Sequence, residues 1–204
     1  MGDQKEEIIN FFKSWDVPKI VLLNFKEKKG IKLDLEISNV IKFLVNEKKL
    51  KCIYISIRTP SIHLIEIFKK NDIDISNILF IDVISQYIYV SSPEISISSE
   101  VKSEKLENVI MLSSPVNLTE LGIIFLEISS SFEKDKNCFI VLDSLDSILL
   151  YIEKDKFLKF FHFLVTKLKL FKVLGIFIQT SEKKEIIEDV KYLIDEIFTI
   201  PEEI

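Results

Sequence analysis

A chain of 204 residues, 48% hydrophobic and 29% charged, is long enough for one α/β domain with a full core and too apolar for a disordered or fibrous protein. Its net charge of −5, spread over interspersed Lys and Glu, argues against broad non-specific binding to nucleic acid. With 16 phenylalanines and only 4 glycines, it also lacks the glycine supply that phosphate-cradling loops use.

In chain order, Lys5–Lys13 places Ile8, Ile9, Phe11 and Phe12 among acids and amides and reads as a short amphipathic helix. Pro18 separates it from the buried strand Lys19–Phe25, "KIVLLNF". A loop "KEKKG" follows. Then Leu33–Val45 repeats Leu33, Ile37, Val40, Ile41 and Leu44 at helical spacing. Cys52–Ile57 is a second strand, Pro60 opens a helix over Ser61–Lys70, and Ile78–Ile84, "ILFIDVI", is a third strand. Gln86–Lys105 alternates Ser with Ile, Val and Tyr, the pattern of a β-ribbon or irregular excursion; its Ser-rich part, Ser91–Ser103, is expected to be the most mobile region.

Val109–Leu112 is a short strand, and Asn117 or Thr119 caps a helix running to Phe132. Cys138–Leu142, "CFIVL", is an uninterrupted apolar strand that runs straight into Asp143, Ser144 and Asp146. Lys154–Phe171 is a long helix whose Phe157, Phe160, Phe161, Phe163, Leu164 and Leu168 form a core-facing stripe; Lys interrupts the region often enough that it does not span a bilayer. Val173–Gln179 is a strand, Lys184–Leu193 a helix and Glu196–Ile200 a last strand. Strands alternating with helices require a mostly parallel central sheet with helices on both faces. No linker or repeat interrupts the pattern, so residues 1–204 read as one domain, with 1–17 an N-terminal helical extension.

Two residue types exclude further chemistry. Cys52 and Cys138 each open an apolar run and read as buried thiols, and no Cys/His cluster with zinc spacing is present. His63 and His162 have no partner cluster, and His162 reads as a partly buried core residue. The opening "MGDQKEEIINFF" carries acids where a signal peptide is basic, which points to the cytoplasm.

A carboxylate at the C-terminal end of a buried parallel strand, as at Asp143, stands where open α/β sheets bind ligands, and in nucleotide-hydrolysing proteins it holds Mg²⁺. The segments "IVLLNFKEKKGIKLDLE", "IYISIRTPS", "FIVLDSLDS", "IFIQTSE" and "LIDEIFTI" stand in the order of the corresponding pieces of the RecA-like ATPase core, and the chain most resembles its KaiC-like branch. There a phosphate loop, a strand ending "ISLEESP", a Walker B strand ending "IDS" and a strand ending "TSE" succeed one another. The resemblance runs from Lys19 to Ile200 and implies a three-layer RecA-like domain.

The departures from that pattern concern chemistry. The phosphate loop G-x-x-x-x-G-K-[ST] uses glycines for close backbone approach, a Lys to neutralise phosphate and a hydroxyl on Mg²⁺. Aligned here, its last Gly falls on Gly30, its Lys on Ile31 and its hydroxyl on Lys32; its other glycines fall on Phe25 and Lys28. A one-residue shift offers Lys32 as the phosphate lysine and leaves Leu33 in place of the hydroxyl. The family's water-activating Glu is replaced by Arg58 and Thr59, and an arginine stays protonated and cannot act as a base. Asp143 and Ser144 are kept, and Thr180, Ser181 and Glu182 match the later segment.

Three functional readings follow. The first is a catalytically inactive KaiC-like domain that acts as a regulatory or protein-interaction module, needing no cofactor and pairing with a partner or with itself. The second is an ATPase with an atypical phosphate loop, in which Lys28, Lys29, Gly30, Lys32, Asp143 and Ser144 hold ATP and Asp143 holds Mg²⁺. The third, suggested by recombinase-like members of the superfamily and by the loop lysines, is a nucleic-acid-binding accessory protein. Asp143 has a plainer role open to it, capping the turn that follows its strand, and Asp146 reads as a solvated turn residue.

Overall fold

Apolar runs bounded by polar turns become strands buried on both faces here, because amphipathic helices cover each side of the sheet. The computed structural model describes residues 3–14, 19–25, 31–91, 108–115, 117–132, 137–180 and 184–200. Its strands are β1 (Ile20–Phe25), β2 (Lys51–Ser56), β3 (Ile78–Asp82), β4 (Val109–Met111), β5 (Cys138–Asp143), β6 (Leu174–Gln179) and β7 (Glu196–Ile200). They form one sheet in the order β4-β3-β2-β5-β6-β1-β7, with every pairing parallel. The inner strands β1, β5 and β6 are buried at every position, and the edge strands β4 and β7 are partly exposed.

The helices are α1 (Asp3–Lys13), α2 (Ile31–Lys42), α3 (Ser61–Lys70), α4 (Ser85–Ser91), α5 (Leu118–Phe132), α6 (Leu145–Ile148), α7 (Lys154–Phe171) and α8 (Lys184–Val190). On one face, α1, α2 and α3 pack Phe12, Ile37, Ile41 and Phe68 against Val21, Tyr54, Phe80 and Val141 of the strands. On the other, α5, α6, α7 and α8 pack Phe125, Ile148, Phe161 and Val190 against Leu22, Ile55, Ile140 and Phe177. The phenylalanine stripe of α7 is core: Phe157, Phe160 and Phe161 are buried, and Phe161 meets Phe177 edge-on at 4.7 Å. Gly175 of β6 lets α7 come close, since a Cβ there would lie 2.8 Å from Leu168 Cδ1.

Three expectations change. Residues 86–91 of the expected ribbon are helical, because Asp82 accepts hydrogen bonds from Ile84 N, Ser85 N and Ser85 Oγ and so caps the start of α4. The remainder of that segment, 92–107, lies outside the described residues. His162 is exposed on the solvent face of α7 rather than partly buried. α2 does not run to Val45 as one α-helix; it passes into a π-helical turn, Phe43–Glu47. The cap at Asn117 is as expected: its Oδ1 accepts from Glu120 N at 3.0 Å, while the Glu120 carboxylate reaches back to Asn117 Nδ2. Both cysteines are buried, and neither is in a disulfide. Among the described residues no helix is long and apolar enough to cross a membrane.

Candidate functional site

Parallel strands bring their C-terminal ends to one edge, and the register decides which residues share it. Ser56 of β2 stands beside Asp82 of β3 and Asp143 of β5, and Asn24 of β1 stands between Gln179 of β6 and Thr199 of β7. All of these except Thr199 are buried.

Asp143 is at the centre of this edge and is fully buried. Its Oδ2 accepts from Tyr54 Oη at 2.7 Å and from Arg58 Nη2 at 3.0 Å; its Oδ1 accepts from Arg58 Nε at 3.0 Å. Arg58 is thus a two-point clamp on the carboxylate. The same Nη2 donates to Asp34 Oδ1 at 2.7 Å, in the first turn of α2. Backbone bonds fix the approach: Ile57 N and Arg58 N both donate to the Asp143 carbonyl, at 2.7 and 3.1 Å. Burial works against the Arg58 cation, yet the charge and hydrogen bonds of Asp143 outweigh it and raise its pKa above the ordinary arginine value. Burial first, and then the Asp143 charge, push the Tyr54 phenol well above its ordinary value, so it stays a protonated donor.

Asp82 is the second buried carboxylate of the edge. Besides its bonds to Ile84 and Ser85, it accepts from Ser61 N at 2.7 Å and so caps α3 from outside the helix. Asp146 is no solvated turn residue. It accepts from Thr180 N at 3.0 Å and from Thr180 Oγ1 at 2.7 Å, tying the β5–α6 turn to the end of β6. Ser144 is buried, with its Oγ 2.8 Å from Ser147 Oγ. The Asp143 side chain does not cap α6, whose N-cap residue is Ser144.

Of the residues singled out from the sequence, Lys28, Lys29, Gly30, Ser181 and Glu182 lie outside the described residues, and Lys32 is described only as part of α2. Asp143, Ser144, Arg58 and Thr180 come together at the edge. Asp34, Tyr54 and Asp82 were not singled out. Tyr54 left a signal: it is the one aromatic in "CIYISI", and a buried phenol needs a partner for its O–H. Asp82 left another, since "ILFID" ends as "FIVLD" does.

No family model matches this sequence, and no curated protein matches it. Solved structures do. A KaiC-like protein of the hyperthermophilic archaeon Pyrococcus horikoshii OT3 superposes with a TM-score of 0.58 at 14% identity, over 92% of this chain and 74% of the other. An uncharacterised protein of Pyrococcus horikoshii, solved in complex with an unknown peptide, superposes with a TM-score of 0.62 at 13% identity, over 95% of this chain and 82% of the other. This chain has the three-layer α/β fold of these structures, a RecA-like fold.

In RecA folds that hydrolyse nucleotide, the Walker B carboxylate takes part in holding Mg²⁺. The Asp143 carboxylate does not fit that task. Both its oxygens carry donors from Tyr54 and Arg58, and the guanidinium stands against it where a cation would. Mg²⁺ demands near-octahedral oxygen ligation, which an occupied carboxylate next to a fixed positive charge does not offer. Among the described residues no group of three or more His, Cys, Asp or Glu side chains is arranged to hold a metal ion.

Proposed function

We propose that this KaiC-like RecA-fold domain is catalytically inactive toward nucleotide and acts as a regulatory or protein-interaction module. One observation carries the reading: Arg58, which stands where the water-activating Glu is expected, has its guanidinium clamped on the Asp143 carboxylate. An arginine at this place supplies no general base, and its charge occupies the carboxylate that a metal would need. The absence of a phosphate-loop Lys and hydroxyl at Ile31 and Lys32 points the same way.

The protein-contact half rests on the surface. Leu150, Leu170 and Tyr192 are 74%, 67% and 71% exposed, large apolar side chains of the kind that partners cover. The solved neighbour that holds an unknown peptide supports the same reading.

The test is calorimetric titration of ATP–Mg²⁺ and GTP–Mg²⁺ into the purified chain, with thermal unfolding alongside. The expected result is no heat and no change in melting temperature. A nucleotide at 100 times its Kd would add about 2.7 kcal/mol of stability, which such a measurement cannot miss. Saturable binding accompanied by turnover overturns the proposal in favour of an ATPase with an atypical loop.

A further inference from the structure

The disagreement between Asp143 and a metal ion has a second consequence, which rests on the non-hydrolysing reading and concerns how the edge is held. Two acids converge on one nitrogen. Asp34 Oδ1 and Asp143 Oδ2 lie 2.7 and 3.0 Å from Arg58 Nη2, with Tyr54 Oη against the same Asp143 oxygen. The acids come from different layers: Asp34 from the first turn of α2, which directly follows the phosphate-loop region, and Asp143 from the end of β5. Arg58 itself is in the turn between β2 and α3. Three segments that a nucleotide and its metal would draw together are therefore joined by one side chain. The side chains of Asp34 and Arg58 are 14% and 19% exposed and that of Asp143 is not exposed, so the bridge is screened from solvent.

We infer that Arg58 is a positioning residue that serves as a built-in counter-cation, tying α2, β5 and the β2–α3 turn together in one state whether or not nucleotide or metal is present. An ion bridge of this kind needs a positive charge in the middle: without it, two screened carboxylates face each other, and each is left uncompensated. The tie explains how the edge keeps its geometry after losing the chemistry that organises it in hydrolysing relatives of the fold. It also means that a partner reading this edge meets a constant surface, with no nucleotide-dependent change.

The experiment is thermal unfolding of the full chain and of Arg58→Gln, in EDTA and in millimolar MgCl₂ or MnCl₂. The wild-type melting temperature is expected to be the same in all three. Arg58→Gln is expected to melt lower by about 6 °C or more in EDTA. A divalent cation should then restore at least half of that loss by taking the place of the guanidinium, and adding Asp34→Asn should abolish the recovery. An Arg58→Gln protein that melts with the wild type in EDTA, or that is folded but indifferent to both cations, overturns the inference.

Should Arg58→Gln fail to fold, Asp34→Asn tests the same tie, because it removes only the α2 arm. Hydrogen exchange should then quicken in the first turns of α2 and stay unchanged in β5, and equal protection in both proteins overturns the inference. The outcomes separate from those of the nucleotide titration. ATP turnover by the wild type would sink the non-hydrolysing reading with the cation experiment still standing, whereas a cation-indifferent Arg58→Gln would sink the tie alone.

Discussion

Tyr54→Phe isolates one bond of the buried network. The Tyr54 ring is fully buried and packs on Phe68 and Phe80, with centroids 5.6 and 6.1 Å away, and phenylalanine keeps that ring and both contacts. What disappears is one O–H donating to Asp143 Oδ2 at 2.7 Å. That oxygen retains Arg58 Nη2, so the carboxylate is weakened rather than orphaned. Hydrogen bonds to charged groups contribute about 1.5–3 kcal/mol, and we expect a loss of about 2 kcal/mol. For a chain of this size that is about 4–8 °C in melting temperature. The assay is urea unfolding followed by circular dichroism, in which the midpoint should fall with an unchanged slope. Tyr87→Phe, at a residue 42% exposed and edge-on to Tyr151, should stay within about 0.5 kcal/mol of wild type. A Tyr54→Phe loss no larger than that control would refute the claim that the phenol helps hold Asp143.

Two further outcomes follow from packing and from titration. Gly175→Ala should destabilise by about 1–3 kcal/mol, since its Cβ would crowd Leu168, Ile20 and Phe177 at 2.8, 3.1 and 3.2 Å, whereas Gly122→Ala in α5, with its nearest neighbour at 3.9 Å, should stabilise by about 0.5–1 kcal/mol; chemical denaturation of the pair reads the opposite signs. Stability should also fall on the alkaline side. Burial, and then the neighbouring Cys138, raise the Cys52 thiol above its ordinary 9.0, while burial and Asp143 raise the Tyr54 phenol above 10.0. A raised folded-state pKa gives stability that is complete below the unfolded value and is lost as pH climbs toward the folded one, so the decline begins near pH 9 and should be shallower in Tyr54→Phe.

The parts of the fold legible in the sequence are those governed by short-range pattern. The run Cys138–Leu142 has no polar residue and became a strand; the stripe on Lys154–Phe171 and the caps at Pro60 and Asn117 gave helix limits within a residue or so. Residues 86–91 resemble part of a ribbon in sequence because Tyr87, Ile88, Tyr89 and Val90 are strand-forming residue types, while the cap that starts the helix comes from Asp82, at the end of the preceding strand. At the site, the sequence placed Asp143 at the end of a buried strand, and the resemblance set Arg58 where the family carries a glutamate. It did not show that the two meet, nor that Asp34 and Tyr54 join them, because those bonds span 85, 24 and 89 residues. Asp146 was misjudged for the same reason: its partner, Thr180, is 34 residues away.

The position of β1 in the sheet bears on how the chain is made. It precedes the other described strands in the sequence, yet among them it is hydrogen-bonded to β6 and β7, so that Val21 faces Ile176 on one side and Glu196 on the other. Strands β2, β3 and β5 can begin to assemble as they emerge. The segment "IVLLNF", apolar on both faces and open along both edges, must wait for β6 and β7. At translation rates of about 5–20 residues per second, a wait of some 150 residues is roughly 8–30 s. During that interval the nascent chain exposes a strand that is apolar on both faces, and the sheet closes around it only once β6 and β7 have emerged.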